Sequence, residues 1–294
     1  MPGVRQPAVA GQFYEGRREG LEESLERCFR HPLGPGDVPQ MNLDGPGAIS
    51  ALVSPHAGYM FSGPAAAHAY HALATDGVPN VVIILGPSHY AAARTNAVSS
   101  VEYWRTPLGD VEVDAELGRE LIKATALLEE DENVHRDEHS LEVQVPFLQF
   151  IYKEHTPSIV PICIRSHPRG DIDPITVDAV ALGETMAEVL GSRRAVVIAS
   201  TDFSHQVPHD TAERQDRLAM DAIEALDPAG LLRTVSRHGI SMCGSVPVAV
   251  ALSYCLAKGP HKAELLRYYT SGDIIGDRRA VVGYASFVIR HRGD

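Results

Sequence analysis

Apolar residues along this chain fall into short, nearly unbroken runs separated by stretches of helical period. Residues 49–54, 81–85, 159–164 and 195–200 are rich in β-branched side chains, and none alternates strictly between apolar and polar. Such runs suit strands covered on both faces, as in a parallel sheet. Helical patterns lie before and between them. One spans 18–29. Ser62-Gly63-Pro64 opens an alanine-rich helix to about Ala74. Asp173 and Pro174 supply a cap and an N1 proline for a helix over 175–190, with Gly191 at its C′ position. Asp210 with Glu213 forms a capping-box pattern before a helix to about Leu226, and Ser245 caps 246–256. Residues 280–289 read as a terminal strand, and the Pro- and Gly-rich stretch 31–47 as a loop. Strand–helix alternation of this kind predicts an α/β fold, one domain over 1–294, with a central, mostly parallel sheet and helices on both faces.

Composition narrows the function. The 294 residues carry a net charge of −12, and no Lys/Arg cluster forms a basic face. Binding to nucleic acid or to an anionic membrane surface is therefore not expected. No apolar run approaches the ~20 residues of a membrane helix, and the first residues hold Gly and Pro where a signal peptide needs an apolar core. The 4 cysteines form no CxxC pair, which fits a reduced, cytoplasmic protein. A chain this long buries enough core to fold without a structural metal, so a bound metal would serve chemistry. Oligomeric state stays open, a homo-oligomer included.

The chemistry gathers where strands end. The four apolar runs lead to His56, His89, His167 and His205 within a few residues. Ligands of open α/β sheets bind beyond the carboxyl ends of the strands, and neighbouring strands lie ~4.8 Å apart. Histidines there can converge on one ion. A single histidine after a strand is more often a turn residue, and His167 sits in a stretch that also reads as a plain loop. Cys243 precedes a helix, whose N-terminus favours the thiolate that binds metal. Its bland alternative is a small buried turn residue. Asp202 and His205 share a short loop and suit acid/base and orienting roles; Asp202 could instead cap the turn. Cys28, Cys163 and Cys255 lie in apolar patterns and read as core, and His68 and His71 as helix residues.

Two rival motifs are weaker. His135-Arg136-Asp137-Glu138-His139 matches H-x-x-E-H, which needs a helix, whereas 129–140 is polar and loop-like. Cys243 with His205 and Asp202 could form a hydrolase triad, but that leaves His56 and His89 idle.

Several segments together resemble the Memo family: RQPAVAGQFYEG, SPHAGYMFSGPAAAHAY, ILGPSHY, TPLGDVEVD, DEHSLEVQVPFLQF, ASTDFSH, MCGSVPV and YYTSGDIIGDRRAVVGYASF. They extend from about Arg5 to Phe287. Prokaryotic members are similar to component B of a three-part gene set that includes a radical SAM protein, which implies a functional link to such a protein. The resemblance implies the fold of class III (LigB-type) extradiol dioxygenases, which open catechol rings with non-haem Fe(II). It implies His56 and His89 as metal ligands, with Cys243 where those enzymes keep a glutamate. It implies His139 and His205 as groups that bind substrate or move protons. In such a site Asp202 would orient His205 or serve as an extra ligand, and Tyr59 would shape the pocket mouth. The partners implied are a small phenolic substrate and O₂. Fe(II) is the expected cofactor, and the softer thiolate also admits copper or zinc. The alternative is a non-catalytic metal-binding or phosphopeptide-binding adaptor, although no Arg cluster stands ready for phosphate.

Overall fold

The structure is a computed structural model that describes residues 3–90, 96–165 and 172–292. His167 lies outside the described residues. In chain order the elements are β1 (Val4–Arg5), α1 (Arg18–Arg30), β2 (Ile49–Ser54), α2 (Tyr59–Thr75), β3 (Val81–Pro87), β4 (Asn96–Val98), β5 (Tyr103–Thr106), β6 (Gly109–Glu112), α3 (Ala115–Ala124), β7 (Leu128–Glu130) and α4 (Glu132–Arg136). They continue with α5 (Val145–Tyr152), β8 (Ser158–Ile164), α6 (Ile172–Leu190), β9 (Ala195–Ser200), β10 (His205–Val207), α7 (His209–Glu224), α8 (Pro228–His238), α9 (Ser245–Ala257), β11 (His261–Thr270), α10 (Ser271–Ile275) and β12 (Val281–His291).

The four apolar runs become β2, β9, β3 and β8, adjacent in that order and all parallel. Their side chains divide by parity. Ala51, Val53, Ile83, Leu85, Val197 and Ala199 join the core beneath α6–α9. Leu52, Val82, Ile84, Val196 and Ile198 join the opposite core beneath α1, α2 and α5. Burial on both faces explains why these strands lack alternation. The expected α/β fold with helices on both faces is therefore present.

Beyond the four central strands the sheet is mixed. β12 is antiparallel to β2, β11 and β10 are antiparallel to β12, and β4 is antiparallel to β8. The link from β11 to β12 holds only the short α10, too little chain for a parallel crossover. A separate small sheet joins β1, β5 and β6. Among the described residues, no helix is long and apolar enough to cross a membrane.

Four helix starts differ from the sequence expectation. α6 already includes Ile172, so Asp173 lies in its first turn instead of capping it. α2 begins at Tyr59, not at Ser62, and Pro64 lies inside it. The amide of Tyr59 donates to the Phe13 carbonyl at 2.8 Å, a bond supplied by a distant segment. α7 begins at His209 without a side-chain cap, because Pro208 holds the N-cap position and Asp210 lies in the first turn; Glu213 instead stands 3.2 Å from His209 Nε2. Ser245 is the first residue of α9 rather than its cap, and its buried hydroxyl has no partner.

α6 and α9 cross closely at Gly183. A Cβ added there would lie 2.6 Å from Ser253 Cβ and 2.6 Å from the Val250 carbonyl oxygen. Gly183→Ala should destabilise the fold by about 1–3 kcal/mol through overpacking. Urea unfolding reads this directly, and an unchanged midpoint would contradict so close a crossing.

Candidate metal centre

Parallel strands carry their following residues to one edge. His56 follows β2, His89 follows β3, and Thr201 and Asp202 follow β9. Two further segments reach the same edge: the loop after α4 brings Glu138 and His139, and the turn before α9 brings Cys243. The ligand-capable atoms of His56, His89 and His139 lie within 4.8 Å of one another. The imidazole centroids are 5.3 Å (His56–His89), 5.5 Å (His56–His139) and 4.6 Å (His89–His139) apart. Cys243 Sγ stands 3.2 Å from His56 Nε2.

Hydrogen bonds decide which ring nitrogens face the cluster. His89 Nδ1 meets Glu138 Oε1 at 2.9 Å. Glu138 also accepts the backbone amides of His89 (2.6 Å), His139 (2.9 Å) and Ser140 (2.8 Å). Burial alone would raise the Glu138 carboxyl, but these bonds, His89 first, bring it to about 2. The carboxylate only accepts, so His89 carries its proton on Nδ1 and leaves Nε2 free. His139 differs. Its Nδ1 is buried without a hydrogen-bond partner, and burial with the neighbouring His56 lowers its pKa to about 3. His56 is likewise kept neutral, by burial and then by His89. The neutral rings of His56 and His139 and the Nε2 of His89 suit a divalent cation, and His139 Nδ1, without a hydrogen bond, stands 3.5 Å from Glu138 Oε1. This group could hold a metal ion.

Cys243 departs from the expected thiolate. Burial, then the Asp202 carboxylate, pushes its thiol above the ordinary value, and the Asp202 amide donating at 3.2 Å does not reverse this. The start of α9 is too weak a field to offset desolvation in the metal-free chain. Asp202 is buried, accepts the His56 amide at 2.8 Å, and has a raised pKa from burial that the nearby His205 opposes. His205 sits at the start of β10, half-buried, with Nδ1 2.8 Å from the Ser241 carbonyl. A carbonyl only accepts, so Nε2 of His205 is the free basic nitrogen.

Other expectations resolve differently. Tyr59 is 3% exposed and donates its hydroxyl to the Val143 carbonyl at 2.7 Å, among Tyr14 and Phe147. It packs in the core instead of shaping a mouth. Phe13 and Tyr90 stand against His139, at centroid distances of 4.6 and 5.6 Å. In the H-x-x-E-H segment, α4 ends at Arg136, so His135 and His139 share no helical face. His135 instead meets the Ala97 carbonyl through Nε2 at 3.0 Å. His68 and His71 reach Leu33 and Asp37, tying the 31–47 loop to α2. Sequence reasoning missed Glu138, Ser200, Gln144, Phe13 and Tyr90. The signal for Glu138 lay in the H-x-x-E-H stretch, which sets an acid directly before His139.

These shifts make the metal-free protein acid-sensitive. The folded Glu138 titrates at about 2 against 4.5, so its contribution is complete above pH 4.5 and lost as pH falls toward 2. The unfolded His139 binds a proton near 6.5 that the folded one refuses until about 3. Its contribution is therefore complete above pH 6.5 and falls as pH drops toward 3. Chemical denaturation of metal-free protein between pH 7 and 5 should show this loss. His139→Gln should flatten it by one proton's worth, about 1.4 kcal/mol per pH unit at most; an unaltered slope would contradict the assignment.

Comparison with known proteins agrees with the resemblance. The family described as Memo-like protein matches residues 5–288. A MEMO1 family protein of Methanopyrus kandleri is 46% identical, covering 97% of this chain and 99% of its own. A MEMO1 family protein of Methanothermobacter thermautotrophicus is 41% identical, covering 96% and 99%. Among solved structures, an uncharacterized protein from Escherichia coli K12 shares the fold at a TM-score of 0.55 and 14% identity, covering 82% of this chain and 99% of that one. With the family matched over nearly the whole chain, and relatives this similar end to end, the chain belongs to the Memo-like family.

Proposed function

We propose that the protein is a metal-dependent oxidoreductase, an extradiol-type dioxygenase that opens a catechol-like ring. The observation that carries this reading is the meeting of His56, His89 and His139, with Cys243 Sγ 3.2 Å from His56, at one edge of a parallel sheet. His56, His89 and Cys243 would hold a non-haem Fe(II), with copper or zinc as the thiolate-compatible alternatives. Bound there, the ion would supply a template on which a catechol and O₂ meet and exchange electron density.

The chain's own groups supply the rest. His205 presents a free Nε2 and takes the proton of a substrate hydroxyl. Asp202, whose rise in pKa through burial is opposed by the charge of His205, would stabilise the resulting imidazolium. His139, neutral and with a buried Nδ1 that has no hydrogen-bond partner, would donate to an oxygen in the pocket. Phe13 and Tyr90 flank it and give an aromatic substrate apolar walls. Binding at Cys243 must displace a proton from a thiol that burial favours, so metal affinity falls as pH drops.

Anaerobic reconstitution with Fe(II), followed by a panel of catechols and O₂, tests this reading. The expected result is a yellow ring-opened product that His56→Ala and His89→Ala abolish. Cys243→Ala should also flatten the pH dependence of metal affinity. Turnover that survives both histidine changes would overturn the site. Metal binding without turnover across the panel would instead favour the non-catalytic, metal-handling or adaptor role.

A further inference from the structure

We infer that Ser200, held in place by Gln144 and the Ser140 carbonyl, is the positioning residue that decides which nitrogen of His56 faces the cluster. The inference deepens the metal-centre reading, but its core is a property of the metal-free chain.

Donors and acceptors around one buried hydroxyl fix the tautomer. Ser200 closes β9 and is fully buried. Its Oγ has three neighbours: the Ser140 carbonyl oxygen at 2.6 Å, Gln144 Nε2 at 2.7 Å and His56 Nδ1 at 2.9 Å. A hydroxyl offers one proton and two lone pairs. The orientation of the Gln144 amide is set independently. Its Nε2 also lies 3.0 Å from the Pro55 carbonyl, which can only accept, and its Oε1 accepts the Tyr70 hydroxyl at 2.6 Å. Gln144 therefore donates to Ser200.

The Ser140 carbonyl can only accept, and two oxygens 2.6 Å apart require a proton between them. The single Ser200 proton goes there. Only a lone pair remains for His56, so Nδ1 of His56 must carry the hydrogen. Its Nε2 then turns a bare lone pair toward Cys243 Sγ, 3.2 Å away. Glu138 imposes the same tautomer on His89 by charge. Ser200 does so with neutral groups alone, which suits a fully buried ring that cannot share a counter-ion cheaply. The same hydroxyl also joins the ends of β2 and β9 to the loop that carries His139, through Pro55, Gln144 and Ser140.

The test uses the full-length, metal-free protein with ¹⁵N-labelled histidine. Long-range ¹H–¹⁵N correlation at neutral pH reads the tautomer, with His56 identified by comparison with His56→Gln. The wild type should show a single Nδ1–H form at His56. Ser200→Ala should lose it, giving mixed tautomers or Nε2–H, and should lower Co(II) affinity about 10–100-fold. Ser200→Thr, which keeps the hydroxyl, should behave as wild type, and Gln144→Leu should fall between. A proton on Nε2 in the wild type, or an unchanged tautomer in Ser200→Ala, would overturn the inference. Should Co(II) fail to bind the wild type while the tautomers behave as stated, the metal-centre reading falls and the role of Ser200 stands.

Discussion

Replacing Arg5 by alanine is expected to lower the unfolding free energy by about 3–5 kcal/mol, the usual cost of stranding one member of a buried ion pair. Arg5 Nη1 lies 2.5 Å from Glu142 Oε2, and the two side chains are 4% and 1% exposed. The rest of the guanidinium is also engaged. Nε donates to the His135 carbonyl at 2.8 Å and Nη2 to the Glu138 carbonyl at 2.7 Å, while the Trp104 ring lies 4.2 Å away. Alanine removes all of these contacts and leaves Glu142 buried with the Ala8 and Val9 amides and the Tyr14 hydroxyl as its remaining donors. Those neutral donors do not balance a full charge. The loop that Arg5 grips carries Glu138 and His139, so amide exchange there should accelerate along with the global loss. Arg5→Lys keeps the charge but not the planar fork and should fall between the two. Equilibrium urea unfolding measures the effect; a loss under about 1 kcal/mol would show that the pair is not desolvated as its burial indicates.

The second large effect is expected from Glu138→Gln. In the wild type both carboxylate oxygens face donors only: the ring and amide of His89 and the amides of His139 and Ser140. A glutamine can offer oxygen at one of those two positions. At the other its NH₂ meets an N–H group, so a hydrogen bond becomes a donor–donor contact. The cost in stability should be about 1–3 kcal/mol. The larger consequence concerns metal. Without the carboxylate, the tautomer and orientation of His89 are no longer held. Affinity for Co(II) or Zn(II) should fall about 10–100-fold. Calorimetric titration of metal-free protein checks this, with His89→Ala as the reference for complete loss of that ligand. Wild-type affinity in Glu138→Gln would mean that His89 is oriented by packing alone.

Much of the architecture was legible along the chain because it depends on short-range pattern. A strand buried on both faces reads as a continuous apolar run, and β2, β3, β8 and β9 each do so. The less hydrophobic β11 escaped notice, since its pattern takes meaning only from pairing with β12. Helix starts were read less well, because their first amides can be satisfied from far away, as the Phe13 carbonyl does for Tyr59.

For the site, the sequence by itself determined the kinds of group present and their place beyond the strand ends: His56, His89, Asp202 and His205, with Cys243 before a helix. Parallel strands necessarily carry such residues to one edge, so their convergence follows from local pattern plus topology. Only the tertiary structure decided their chemical state. It set the ionised Glu138 under His89, the neutral thiol of Cys243, the orphaned nitrogen of His139 and the withdrawal of the Tyr59 hydroxyl into the core. Proton positions and pKa values depend on desolvation and on hydrogen bonds between segments as distant as Arg5 and Glu142, 137 residues apart. No local pattern along a chain encodes those distances.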